Sequence, residues 1–250
     1  MEFSESTSKL THSETKEGLS RGIRNLNILV HTSFLIQNTI HPDTYILKTP
    51  QAAQYLDKTK QLQKNARQRF TPQSAEDVLL IMPHEKPSLK SWRDSKKAKE
   101  LDSSAVNWTD AYRDIKRDTP FSNNIYLIGD LSYRYSNLDT QIEKAKNDTN
   151  QEITQRLKDQ GFIIDEDTVI TIGGEYRDLC VNWVVKKILL LPEVKKIRID
   201  KTVSFTSAYS RPFPAEYVAM LDKDKNELLM DILSAESHVR EDDEYVYVEK

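Results

Sequence analysis

Two of the chain's six glycines, Gly173 and Gly174, stand side by side, and its single cysteine, Cys180, lies six positions beyond the second of them. An apolar run, Thr168 to Ile172, leads into the glycines, and an apolar segment, Asp178 to Leu191, leads away. The pattern predicts a strand, a turn and a helix in direct succession, with Asp178 as the helix N-cap. A cysteine in the first turn of a helix meets the positive end of the helix dipole and backbone N–H groups without intrahelical partners. Both favour the thiolate, the nucleophilic form, and the same N–H groups can hold a developing oxyanion. The other reading is equally physical, since cysteine is among the most buried residue types and packs as a small apolar side chain. Both stay open on these residues alone.

The elements that must position this turn alternate along the chain. Dense apolar runs predict strands over Asn27 to Ile36, Val78 to Met82, Ile125 to Ile128, Thr168 to Ile172 and Val194 to Ile199. Tyr245 and Tyr247 alternate with Val246 and Val248, which adds a last strand over Glu244 to Glu249. Thr49 and Pro50 open a helix over 50–69, residues 137–160 form one helix or a broken pair, and Leu228 to Leu233 is helical in pattern. Residues 84–122 fit an excursion of loop and helix over the sheet edge. Strands that are continuous apolar runs are buried on both faces, so the expected fold class is α/β, a doubly wound, mostly parallel six-stranded sheet with helices on both faces. Ligands bind such sheets at the carboxyl ends of the strands, which is where Gly173 to Cys180 falls. Residues 1–24 carry no periodicity and predict a flexible N-terminal arm, with 25–250 a single domain.

Hydrophobic residues make up 38% and charged residues 30%, with a net charge of -3, which fits a globular chain without a general basic field for nucleic acid. No apolar run approaches the roughly 18–20 residues that span a bilayer, and Met1 to Arg21 has no apolar signal core. A cytoplasmic location is expected, with a small molecule as partner and neither nucleic acid nor membrane. One cysteine excludes an internal disulfide. The five histidines, His12, His31, His41, His84 and His238, show no metal-ligand pairing. Lys186-Lys187, Lys195-Lys196 and the acidic run Glu241 to Glu244 read as solvated.

The run Gly174-Glu175-Tyr176-Arg177-Asp178-Leu179-Cys180-Val181 resembles the nucleophile segment of the isochorismatase-like cysteine hydrolases, a superfamily that includes nicotinamidases. There a strand ends in glycine, an acid sits two before the cysteine, and Cys-Val opens the helix. The order of elements is similar over most of the chain. The resemblance implies Cys180 as nucleophile, a cis peptide just before Arg177 that helps aim an oxyanion hole, and a homodimer. Substrate-binding positions carried with it are Gly174, Tyr176, Arg177 and Arg134. The family's general-base aspartate ends the first strand, where this chain has His31. Its catalytic lysine follows the third strand, where Gly129-Asp130-Leu131-Ser132 has none and Arg134 is the nearest cation. The metal-binding cluster of nicotinamidases is reduced here to His84, so no metal and no cofactor are expected.

Two functions follow. In one, the protein is a cysteine-dependent hydrolase of a small amide-like or related substrate, with Cys180 attacking, His31 as base and Asp130 or Arg134 assisting. In the other, His31 is structural and a catalytically inactive isochorismatase-like fold serves as a binding or regulatory protein. Residues 128–133 also look like the Gly-Asp-x-x-Tyr metal block of metallophosphoesterases, but that family's Gly-Asn-His block and later histidines are absent.

Overall fold

The computed structural model describes residues 21–31, 51–82, 115–117, 119–128, 153–210, 215–235 and 237–250. Its strands are β1 (Arg21–Gly22), β2 (Asn25–Val30), β3 (Asp77–Met82), β4 (Ile125–Leu127), β5 (Phe162–Ile163), β6 (Val169–Glu175), β7 (Lys196–Phe205), β8 (His238–Glu241) and β9 (Tyr245–Glu249). Its helices are α1 (Gln51–Phe70), α2 (Gln155–Asp159), α3 (Asn182–Leu189) and α4 (Ala215–Ser234).

Seven strands form the main sheet in the order β4-β3-β2-β6-β7-β9-β8, and β1 and β5 form a separate two-stranded sheet. The run β4-β3-β2-β6-β7 is parallel throughout, while β9 is antiparallel to β7 and β8 to β9. The fold is therefore α/β with a mostly parallel sheet, which among the described residues has seven strands where six were expected. The additional strand, β8, is the exposed edge strand His-Val-Arg-Glu, whose charges hide it from an apolar pattern and shield the edge from further pairing. Residues 242–244 form the turn of the β8–β9 hairpin, where Asp242 Oδ1 accepts the N–H groups of Glu244 and Tyr245 at 2.9 and 2.7 Å. At the other end, Arg21–Gly22 pair with Phe162–Ile163 and Ile23 is buried, so residues 21–23 of the stretch expected to be a flexible arm belong to the fold, and residues 1–20 lie outside the described residues.

Successive residues of the parallel strands point to opposite faces, and both faces are buried. Leu26, Ile28 and Val30 of β2 join one core with Val184, Val185 and Ile188 of α3 and Leu229 and Leu233 of α4. Leu29 of β2, with Leu79 and Ile81 of β3, joins a second core with Leu62, Ala66 and Phe70 of α1, which recur every four residues along one helix face. Lys187, expected to be solvated, is buried in α3. Among the described residues no helix is long and apolar enough to cross a membrane.

Two strands run further than their apolar runs suggest. β6 passes through both glycines to Glu175, and β7 passes Asp200 to end at Phe205. Between them the register moves from Ile172 opposite Ile199 to Gly174 opposite Ser204, so β7 bulges over residues 200–203. Asp200, fully buried, organises the bulge. Its Oδ1 accepts the Thr202 N–H at 2.8 Å and the Thr202 hydroxyl at 2.7 Å, and Arg69 Nε lies 2.8 Å from Oδ2. The Ser204 hydroxyl donates to the Asp200 carbonyl at 2.6 Å.

Burial holds the Asp200 carboxyl above the ordinary aspartate range, against the opposing pull of Thr202 and Arg69. A folded value above the unfolded one means that this group's share of stability is complete below about pH 4 and is lost as pH rises through the raised value. Asp200→Asn has no such titration. Urea unfolding at a series of pH values should show wild type gaining on the variant as pH falls from neutral toward 4. A wild-type advantage that grows toward pH 7 would show the Arg69 pair outweighing burial.

Candidate functional site

Numbered by chain order, the parallel strands lie third, second, first, fourth, fifth across the sheet. The winding direction reverses between the first and fourth, β2 and β6, and the carboxyl ends of such a pair frame the crevice where α/β sheets bind ligands. Val30 pairs with Gly174 at that end. An added Cβ on Gly174 would lie 1.9 Å from the Val30 carbonyl oxygen, and the residue holds φ +125°, so glycine is required for the two backbones to meet as they do.

His31 leaves β2 at φ 48° in the left-handed region, where histidine is enriched among non-glycine residues. It is buried, and its backbone N–H donates to the Met82 carbonyl at 2.8 Å. The first strand therefore ends at Val30, short of the expected Ile36. Across from it, the peptide bond between Glu175 and Tyr176 is cis, one bond earlier than the resemblance implies. The Tyr176 ring meets Phe205 edge-on with centroids 5.2 Å apart.

Arg177–Val181 form a π-helical turn in which the N–H groups of Leu179 and Val181 both donate to the Tyr176 carbonyl, at 3.0 and 3.1 Å. Cys180 sits inside this turn, ahead of α3, instead of in the first turn of an α-helix. Single π turns often mark functional positions within helices. The thiol is free, half-buried, and packed against the apolar core that α3 and α4 share.

Asp178 is not the helix cap that its position suggests; the residue ahead of the turn is Tyr176, and no side chain caps it. Asp178 instead faces β7's continuation, where its Oδ1 accepts the Ser207 N–H at 2.8 Å and its Oδ2 the Ser207 hydroxyl at 2.6 Å. Lys225 Nζ stands 3.9 Å from the same Oδ2. Arg177 is also buried, and its Nη2 donates to Asp222 Oδ1 at 3.0 Å, an oxygen that accepts the Thr206 hydroxyl as well, at 2.7 Å. These bonds tie the turn to residues 206–207 beyond β7 and to the first half of α4.

The structure thus brings His31, Gly174, Tyr176, Arg177 and Cys180 to one end of two neighbouring strands. Asp130, Arg134 and His84 lie outside the described residues. Asp222, Lys225, Thr206 and Ser207 were not expected at the site. One signal for two of them exists in α4, where Val218, Asp222, Lys225, Leu229 and Leu233 share a helical stripe whose apolar members are buried. Charged residues on a buried stripe need partners from elsewhere in the fold. Among the described residues no group of three or more metal-ligating side chains occurs. No protein-family model matches this chain, and no curated protein is significantly similar to it.

Proposed function

We propose that the chain is a doubly wound, isochorismatase-like cysteine hydrolase acting on a small amide-like substrate. The observation that carries this reading is the β2–β6 register, which sets Val30 opposite Gly174. It sends His31 and the turn bearing Cys180 off the same end of neighbouring strands, at the point where the winding reverses. In the reaction, His31 takes the thiol proton as the sulfur of Cys180 attacks the substrate carbonyl carbon, whose π electrons move to oxygen. Collapse of that intermediate expels the amine, which takes the proton from His31. A water molecule, deprotonated by His31, then attacks the thioester, releasing the acid and returning the proton to the sulfur. Asp130 or Arg134 would assist from beyond the third parallel strand.

A second reading, an inactive fold that binds a ligand, is favoured by the packing of Cys180 against apolar side chains. Iodoacetamide labelling of Cys180 at pH 7 separates the two. For the hydrolase, the folded protein should label at least about tenfold faster than the urea-unfolded chain. His31→Asn should remove that acceleration. Asparagine tolerates the left-handed backbone at this position, so the variant tests the imidazole rather than the turn. A cysteine that labels only on unfolding, or an acceleration indifferent to His31, would overturn the hydrolase and leave the binding protein.

A further inference from the structure

The turn that bears Cys180 is held from outside itself. Its Leu179 and Val181 N–H groups share one acceptor, the Tyr176 carbonyl, and no side chain caps it. What grips it comes from the end of β7. Ile172 stands opposite Ile199 and Gly174 opposite Ser204, so β7 takes in three residues more than β6 between these pairs. The pairing then carries Phe205 level with Glu175, the last residue of β6, and the chain beyond it delivers Thr206 and Ser207 to the start of the turn. Ser207 opens a 3-10 turn, Ser207–Ser210, and the first N–H of such a turn has no acceptor inside it. Asp178 supplies one. Its Oδ1 accepts the Ser207 N–H at 2.8 Å and its Oδ2 the Ser207 hydroxyl at 2.6 Å. The carboxylate is 1% exposed, so both bonds form out of reach of water, and bonds to a carboxylate are the stronger kind. Arg177, one residue earlier, is tied separately to Asp222 of α4. Only Leu179 lies between Asp178 and Cys180.

We propose that Asp178 is a positioning residue, whose two bonds to Ser207 fix the π-helical turn so that the Cys180 sulfur stands where His31 can take its proton. A negative charge two residues from a thiol disfavours the thiolate, so the contribution of Asp178 is one of placement and not of charge. A displacement of about 1 Å at a reacting group can cost on the order of 100-fold in rate, which lets a contact of this size govern the thiol without governing the fold. The inference rests on the hydrolase reading, and deepens it by assigning the placement of the nucleophile to a contact between its turn and the end of β7.

Cys180 is the chain's single cysteine, so iodoacetamide labelling of the full chain reads this one position. At pH 7, with each protein held well below its own Tm, Asp178→Ala should lose the acceleration that wild type shows over the unfolded chain. Asp178→Asn removes the charge but keeps an oxygen for the Ser207 N–H and an amide to meet its hydroxyl, and should retain most of the acceleration. Ser207→Ala loses only the hydroxyl bond and should label about threefold or more slowly than wild type. The decisive readout is the dependence on His31. His31→Asn should slow wild type at least about tenfold and should slow Asp178→Ala no further. A residue that merely stabilised the fold would lower Tm and leave that dependence intact. The proposal falls if Asp178→Ala labels as wild type does, if His31→Asn slows it by the same factor as wild type, or if Asp178→Asn is as slow as Asp178→Ala, which would assign the effect to charge. Where Asp178→Ala does not fold, Ser207→Ala decides, and labelling within about twofold of wild type overturns the proposal. A wild type without acceleration brings down the hydrolase reading and this inference together, whereas an acceleration indifferent to Asp178 and Ser207 brings down the inference alone.

Discussion

Gly174→Ala is expected to cost on the order of 4 kcal/mol or more, against a total stability of about 5–15 kcal/mol for a typical domain. The new methyl would stand 1.9 Å from the Val30 carbonyl oxygen and 2.7 Å from that residue's carbonyl carbon and nitrogen. All three are backbone atoms of a central strand, paired on both sides, so relief requires breaking the β2–β6 register that runs from Asn25 to Val30. The φ of +125° adds a second penalty that any L side chain pays. Gly173→Ala provides the contrast. Its methyl would meet Phe70 Cζ at 3.0 Å and Val203 Cγ1 at 3.1 Å, side-chain atoms that can give by a few tenths of an ångström. Overpacking of that kind costs about 1–3 kcal/mol. Urea denaturation of both variants checks the difference, and equal losses would refute a backbone collision at Gly174.

The same glycines show how far the fold is legible in the sequence. Runs such as Val78 to Met82 announce strands because a strand buried on both faces has no polar positions, and β3 lies where that run predicts. Gly173 and Gly174 look like the end of a strand, yet β6 continues through them, because they serve close approach to β2 and β7 rather than a turn. Asp200 looks like a stop for β7, yet it is the buried anchor of a bulge, held by two hydrogen bonds from Thr202 and the charge of Arg69 in ways that a local pattern cannot express. Asp178 has the spacing of a cap and is claimed instead by Ser207, 29 positions away. At the site, the position of Cys180 beyond a strand end was legible from glycine and apolar spacing. The residues that tie down its turn, Asp222, Thr206 and Ser207, were not, since they arrive from other parts of the chain.

The pair of Arg177 and Asp222 is the strongest of those long-range ties, and its removal should be asymmetric. Asp222→Ala leaves a buried guanidinium without its carboxylate and the Thr206 hydroxyl without its acceptor. Breaking one partner of a buried pair costs about 3–5 kcal/mol, and Asp222, 25% exposed, places this case toward the lower end because water can reach the gap. Arg177→Met removes the charge and keeps much of the side-chain volume, so it leaves Asp222, partly open to water, with the Thr206 hydroxyl and should cost less. The double variant, Arg177→Met with Asp222→Leu, has neither charge to strand and should lie within about 2 kcal/mol of wild type. Urea unfolding of the three proteins measures this, and additive losses would show that the two side chains contribute separately. A near-neutral double variant would have a further meaning for the site. Buried ion pairs are often replaceable by apolar residues without loss of stability, so an Arg-Asp pair kept beside Cys180 would then be there for the charge it presents rather than for the fold it holds together.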